Sequence, residues 1–151
     1  EVTPDSLQYL ITDMFETITL YDNRVEEASY TEKDSSTYEV NMTLQASKYR
    51  TEETGERIYK NEAGDSLAVE IEDRSQPVKS LPLNDWIDVG VFGTDSLGNE
   101  TVLYLERRKF TEILNEITIT VDQEPTSVGI DPYNKLIDTI SNDNRRSPDE
   151  K

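Results

Sequence analysis

Carboxylates are the side chains abundant enough in this sequence to suggest chemistry: thirty-two Asp and Glu stand against fifteen Lys and Arg, a formal charge of −17. Two acids at a set separation suffice to hydrolyse a glycosidic bond. The adjacent pairs Glu26-Glu27, Glu52-Glu53 and Asp149-Glu150 fall in polar surroundings, where solvated surface acids are expected, and none is assigned a catalytic role. Oxygen-rich loops could also take calcium. Gly93 to Glu100 and Ser141 to Asn144 qualify by composition. Neither keeps the Asp-x-Asp-x-Asp-Gly order of an EF-hand, and the first reads as a plain hairpin loop.

Histidine and cysteine do not occur. Without them, Ser-His or Cys-His nucleophilic catalysis and the usual zinc ligand sets have no residues to use. Gly90 and Gly93 stand alone, with no following Lys-Ser/Thr, so no phosphate-cradling loop is present. The charge of −17 repels nucleic acid and anionic membrane surfaces. Asn41-Met42-Thr43 and Asn99-Glu100-Thr101 match the glycosylation acceptor pattern, a three-residue signal that arises readily by chance. Arg107-Arg108-Lys109, the one basic cluster, is expected to offset neighbouring carboxylates at a strand end, with docking of an acidic partner as the alternative. No catalytic, cofactor-binding or metal-ligating residue is therefore assigned.

The elements that would carry these residues are mostly strands. At the N-terminus, Leu7, Leu10, Ile11, Met14 and Ile18 recur at helical spacing behind Thr3-Pro4-Asp5, which predicts a short helix or linker over residues 1–16. The period then changes to two. Tyr38, Val40, Met42, Leu44 and Ala46 alternate with polar residues, as do Ile117, Ile119 and Val121, and Leu67, Val69 and Ile71 alternate with Ala68, Glu70 and Glu72. Trp86 to Phe92 and Thr101 to Glu106 are more continuously apolar and read as central strands covered on both sides. Val25 to Thr31 and Arg57 to Lys60 give weaker extended signals. Gly- and Pro-bearing turns separate the runs. The pattern predicts a mainly β fold, an antiparallel immunoglobulin-like sandwich of about seven strands, over residues 17–140, with 141–151 as a mobile tail. Trp86 is expected to bury its indole against the opposite sheet, and Asp131-Pro132-Tyr133 to form a stiff turn. No apolar run reaches the roughly 18 residues of a spanning helix, so direct membrane insertion is not expected. Because the sequence opens at Glu1 with no initiator Met or leader pattern, a processed chain or an excised piece of a longer protein is expected, the excised piece being favoured.

Three stretches carry a resemblance when taken together. Pro82 to Phe92 (PLNDWIDVGVF) is followed by Leu103 to Arg108 (LYLERR) and then by Gly129 to Asp138 (GIDPYNKLID). In this order they resemble the C-terminus of bacterial, often Bacteroidetes, proteins that join an ABC-type permease to a gluzincin aminopeptidase. The run into Ile18-Thr19-Leu20-Tyr21-Asp22 resembles the exit from the helical peptidase domain of that family. Lys48 to Ser80 fits no pattern of the family and could be an insertion specific to this chain.

The resemblance implies a non-catalytic accessory sandwich that packs on the upstream peptidase domain of the same chain and orients it, at the periplasmic side of the cytoplasmic membrane. Zinc would belong to that upstream domain, and no cofactor is expected in this stretch. The alternative is a free-standing envelope domain that recognises a peptide, glycan or protein partner.

Overall fold

A computed structural model describes residues 18–34, 36–51, 57–60, 66–69 and 81–151. The helix expected within residues 1–16, the Glu52-Glu53 pair and much of the segment 48–80 lie outside the described residues.

The described chain is a β-sandwich. β1 (Ile18–Asp34) and β2 (Thr37–Thr51) form a long antiparallel hairpin. Strict alternation in β2 turns Val40, Met42, Leu44 and Ala46 to one side, where each is 3% exposed or less. β3 (Arg57–Lys60), β4 (Ser66–Val69), β5 (Asp85–Thr94), β6 (Glu100–Phe110), β7 (Leu114–Val121), β8 (Ser127–Ile130), β9 (Arg145–Arg146) and β10 (Asp149–Glu150) follow. The first sheet runs β10-β1-β2, and the far edge of β2 is shared between β7 and the β3-β4 hairpin. The second sheet runs β6-β5-β8-β9. Pairing is antiparallel apart from the β1–β10 contact and a bridge between Tyr21 and Asp138. Val40, Leu44 and Ala46 from the first sheet meet Ile87, Val89 and Val91 from the second in one core. Each of these Val, Leu and Ile side chains contributes about 1.5–3 kcal/mol by leaving water, and the Ala46 methyl about 0.8 kcal/mol.

β1 breaks period two at one place. Val25 is buried, and so are Ala28 and Tyr30, which have the opposite parity. The register against β2 slips between Val25 and Glu27, so a bulge at the acidic pair Glu26-Glu27 returns the inward phase to Ala28. This is why Val25 to Thr31 signals a strand only weakly.

The described residues hold ten strands, of which β9 and β10 are two-residue pieces. Two expectations need correction. β6, expected to be central, is the edge of its sheet, and most of its residues are exposed. Residues 141–151, expected to be a mobile tail, take places in both sheets: β9 pairs with β8 and β10 with β1. The edge of β1 supplies the reason, because unpaired backbone groups there need partners. The Lys151 N–H donates to the Tyr30 carbonyl (2.9 Å), and Arg146 Nη1 donates to the Glu26 carbonyl at the bulge (2.6 Å).

Candidate functional site

The turn after β8 brings Asp131 and Lys135 beside Asp88 of β5 and Arg107 of β6. Asp131 and Asn134 both adopt left-handed backbone (φ 42° and 51°), a conformation Asp and Asn tolerate better than other side chains, and they bracket Pro132-Tyr133 as the expected stiff turn. The Asp131 N–H donates to the Asp88 carbonyl (2.7 Å), fixing the turn to β5. The buried Asp131 carboxylate accepts from the Lys135 N–H (3.0 Å) and the Leu136 N–H (2.9 Å).

Beside it, Asp88 points outward from β5 into two cations. Lys135 Nζ lies 2.5 Å from Oδ2 and Arg107 Nε 3.2 Å from Oδ1. The hydrogen bond from Lys135 leads the effects holding the Asp88 carboxyl below the usual range, whereas burial pushes Asp131 up. Trp86, Asp88, Arg107, Asp131, Lys135 and Leu136 line a cleft of about 190 Å³. Two acids displaced in opposite directions beside a cleft are the pattern of a general acid–base pair. Here each Asp131 oxygen accepts from one backbone N–H and each Asp88 oxygen meets one cation, so both carboxylates have partners that hold the turn to β5 and β6.

Two further polar clusters tie the sheets together. Lys48 of β2 and Asp85 of β5 form an ion pair with both side chains 6% exposed (Nζ to Oδ2 3.1 Å), and the Tyr21 hydroxyl donates to Asp85 Oδ1 (3.0 Å). Nearer the C-terminus, Asp138 accepts from the Asn23 N–H (2.8 Å) and the Ile140 N–H (3.0 Å). Burial raises the Asp138 pKa, and the nearby Asp22 carboxylate adds to the rise. Sequence reasoning found the Asp131 turn but missed Asp88 and Asp138 as anchors. A single Asp inside the apolar run Trp86 to Phe92 was the available signal for the first.

The remaining candidates have local partners. Asp95 accepts from the Leu97 and Asn99 N–H groups (2.8 Å each), and the Asn99 backbone bond leads in holding its pKa below the usual range, the chemistry of a hairpin loop closed at Gly98 (φ 86°). Glu26 pairs with Arg24 (2.6 Å), and Asp149-Glu150 is β10. Asn41 accepts from the Thr118 hydroxyl (2.7 Å). Arg107 meets Asp88, and Arg108 donates to the Tyr104 hydroxyl (2.6 Å), so two of the three basic residues offset or contact local groups. Trp86 overturns its expectation: it points out of the sandwich and is 57% exposed. Among the described residues no group of three or more acids is placed to hold a metal ion, and no helix is long and apolar enough to cross a membrane. Compared with protein-family models, curated proteins and solved structures, the chain matches none.

Proposed function

We propose that this chain is a non-catalytic accessory β-sandwich of a larger, membrane-associated zinc aminopeptidase, packing on the upstream peptidase domain and orienting it at the periplasmic side of the cytoplasmic membrane. One observation carries the reading: the acids of the stretch that resembles this family, Asp131 and Asp138, together with Asp88, spend their carboxylates on backbone N–H groups and on Lys135 and Arg107. A stretch used in this way builds a scaffold, and the sequence supplies no histidine with which to hold zinc. The metal and its chemistry belong, on this reading, to the domain before Ile18.

The test is twofold. The chain supplied with zinc is expected to leave aminoacyl substrates untouched, and turnover that disappears on chelation would overturn the assignment. The gene is expected to continue upstream through a His-Glu-x-x-His segment and membrane spans; a reading frame encoding this domain alone favours the free-standing binding domain, for which the exposed indole of Trp86 speaks.

A further inference from the structure

Trp86 is the single tryptophan of the chain, and it stands in water from a strand whose next seven residues are buried. An indole brings a large apolar surface that burial would reward, so an outward position is one where stability alone gains little from it. Its surroundings are cationic. Lys109 is its partner across the β5–β6 ladder, Arg107 lies opposite the next outward residue, Asp88, and Lys135 closes the cleft from the C-terminal turn. Arg107 and Lys135 share the one Asp88 carboxylate while keeping 62% and 54% of their side chains exposed. Lys109 is exposed, with no ion pair among the described residues.

We propose that this face of the second sheet is a docking surface for an acidic segment of a partner protein, which lays an apolar side chain on the Trp86 indole and carboxylates between Arg107, Lys109 and Lys135. Trp and Arg are the residue types on which interface energy concentrates. Charge selects the kind of partner. A bilayer of anionic lipid meets the field of the whole chain, −17, and is repelled. A short segment feels chiefly the charges within a Debye length, about 8 Å at physiological ionic strength, and around Trp86 the three cations Arg107, Lys109 and Lys135 stand against the carboxylates of Asp88 and Asp131.

Emission from Trp86 reports directly on this surface, since no other indole is present. The whole chain is titrated with a short synthetic peptide of Glu, Leu and Gly, with the same peptide carrying Lys in place of Glu, and with phosphatidylserine vesicles. The Glu peptide is expected to give a saturable blue shift that weakens with added salt, and the Lys peptide none. Lys109→Glu and Arg107→Gln are each expected to weaken binding about tenfold. Lys109→Glu guards against a folding artefact, because Lys109 is exposed and holds no ion pair, and urea midpoints of both variants are read alongside. No shift with the Glu peptide, an equal shift with the Lys peptide, undiminished binding by folded Lys109→Glu, or a shift given by vesicles alone would overturn the proposal.

Discussion

Gly90 and Gly129 lie directly opposite each other in the β5–β8 register, and Pro132 covers both. A Cβ on Gly90 would come within 2.7 Å of the Phe92 ring and 3.3 Å of Pro132 Cγ; one on Gly129 would meet the Asn144 carbonyl oxygen at 3.0 Å and Pro132 Cβ at 3.1 Å. The Phe92 ring has little room to yield, with Tyr133 edge-on to it and the Arg145 guanidinium 4.2 Å above its centre. The missing side chains let the Asp131 turn close over the second sheet and bring Lys135 to Asp88.

Gly129→Ala should therefore destabilise the fold by about 1–3 kcal/mol, the usual cost of overpacking against atoms that cannot move. Asn144 presents backbone there, so repacking offers no relief. A urea midpoint equal to that of the parent chain would show that the turn is not seated on the glycine pair.

The buried ion pair across the sheets makes a sharper prediction. Lys48→Met leaves the Asp85 carboxylate without its cation in a site 6% exposed, a loss of about 3–5 kcal/mol. Lys48→Met combined with Asp85→Leu should regain part of that, because no charge is left buried without its partner, while the Tyr21 hydroxyl loses the acceptor it has in Asp85. Urea unfolding of the two single variants and the double variant gives the coupling. Losses that simply add would mean that the two side chains do not depend on each other.

How much of this was legible beforehand depended on whether a residue's neighbours were local. The β2 alternation and the Arg57 to Lys60 strand are local patterns and read correctly. Trp86 read as core because its strand is apolar throughout, yet the parity that buries Ile87 and Val89 points Trp86 outward. Phe92 has that same outward parity and is buried only because the Asp131 turn and Arg145 arrive from far along the chain. The polar C-terminus read as mobile because its partners, on β1 and β8, are more than a hundred residues away in one case and reached through backbone hydrogen bonds that side-chain types do not reveal. Trp86→Ala provides a check on the orientation: exposed at 57%, it should change stability by no more than about 1 kcal/mol. A core-sized loss would place the indole inside.

The displaced carboxylates give opposite pH dependences. Burial raises Asp138 above its ordinary value of 3.8, so the folded chain binds that proton more tightly than the unfolded chain does. Its contribution is greatest in acid and falls as pH rises from that ordinary value through the raised one. Asp88 is lowered, so its contribution is present above the ordinary value and is lost as pH falls through the depressed one. Asp138→Asn should thus lose less, relative to the parent, at neutral pH than in acid, while Lys135→Met should lose more at neutral pH than in acid. Urea midpoints across a pH series test both signs, and parallel curves would contradict them.

The C-terminal strap yields the most direct test of how the first sheet is closed. Ending the chain after Asn144 removes β9 and β10, and with them the Arg145 guanidinium over Phe92, the Arg146 bond to the Glu26 carbonyl at the bulge and the Lys151 bond to the Tyr30 carbonyl. The stacking and the backbone bonds together are worth about 2–4 kcal/mol. The Arg145–Glu100 pair adds little, since its side chains are 32% and 49% exposed to screening water. Truncation also uncovers backbone donors and acceptors along β1 beside Ser29 and Tyr30, an edge on which a second chain can pair. The shortened chain should therefore unfold at lower urea and associate as its concentration rises, seen by light scattering. If it stays monomeric with an unchanged midpoint, residues 145–151 do not hold the sheet edge, and the polar tail read from composition is the better description.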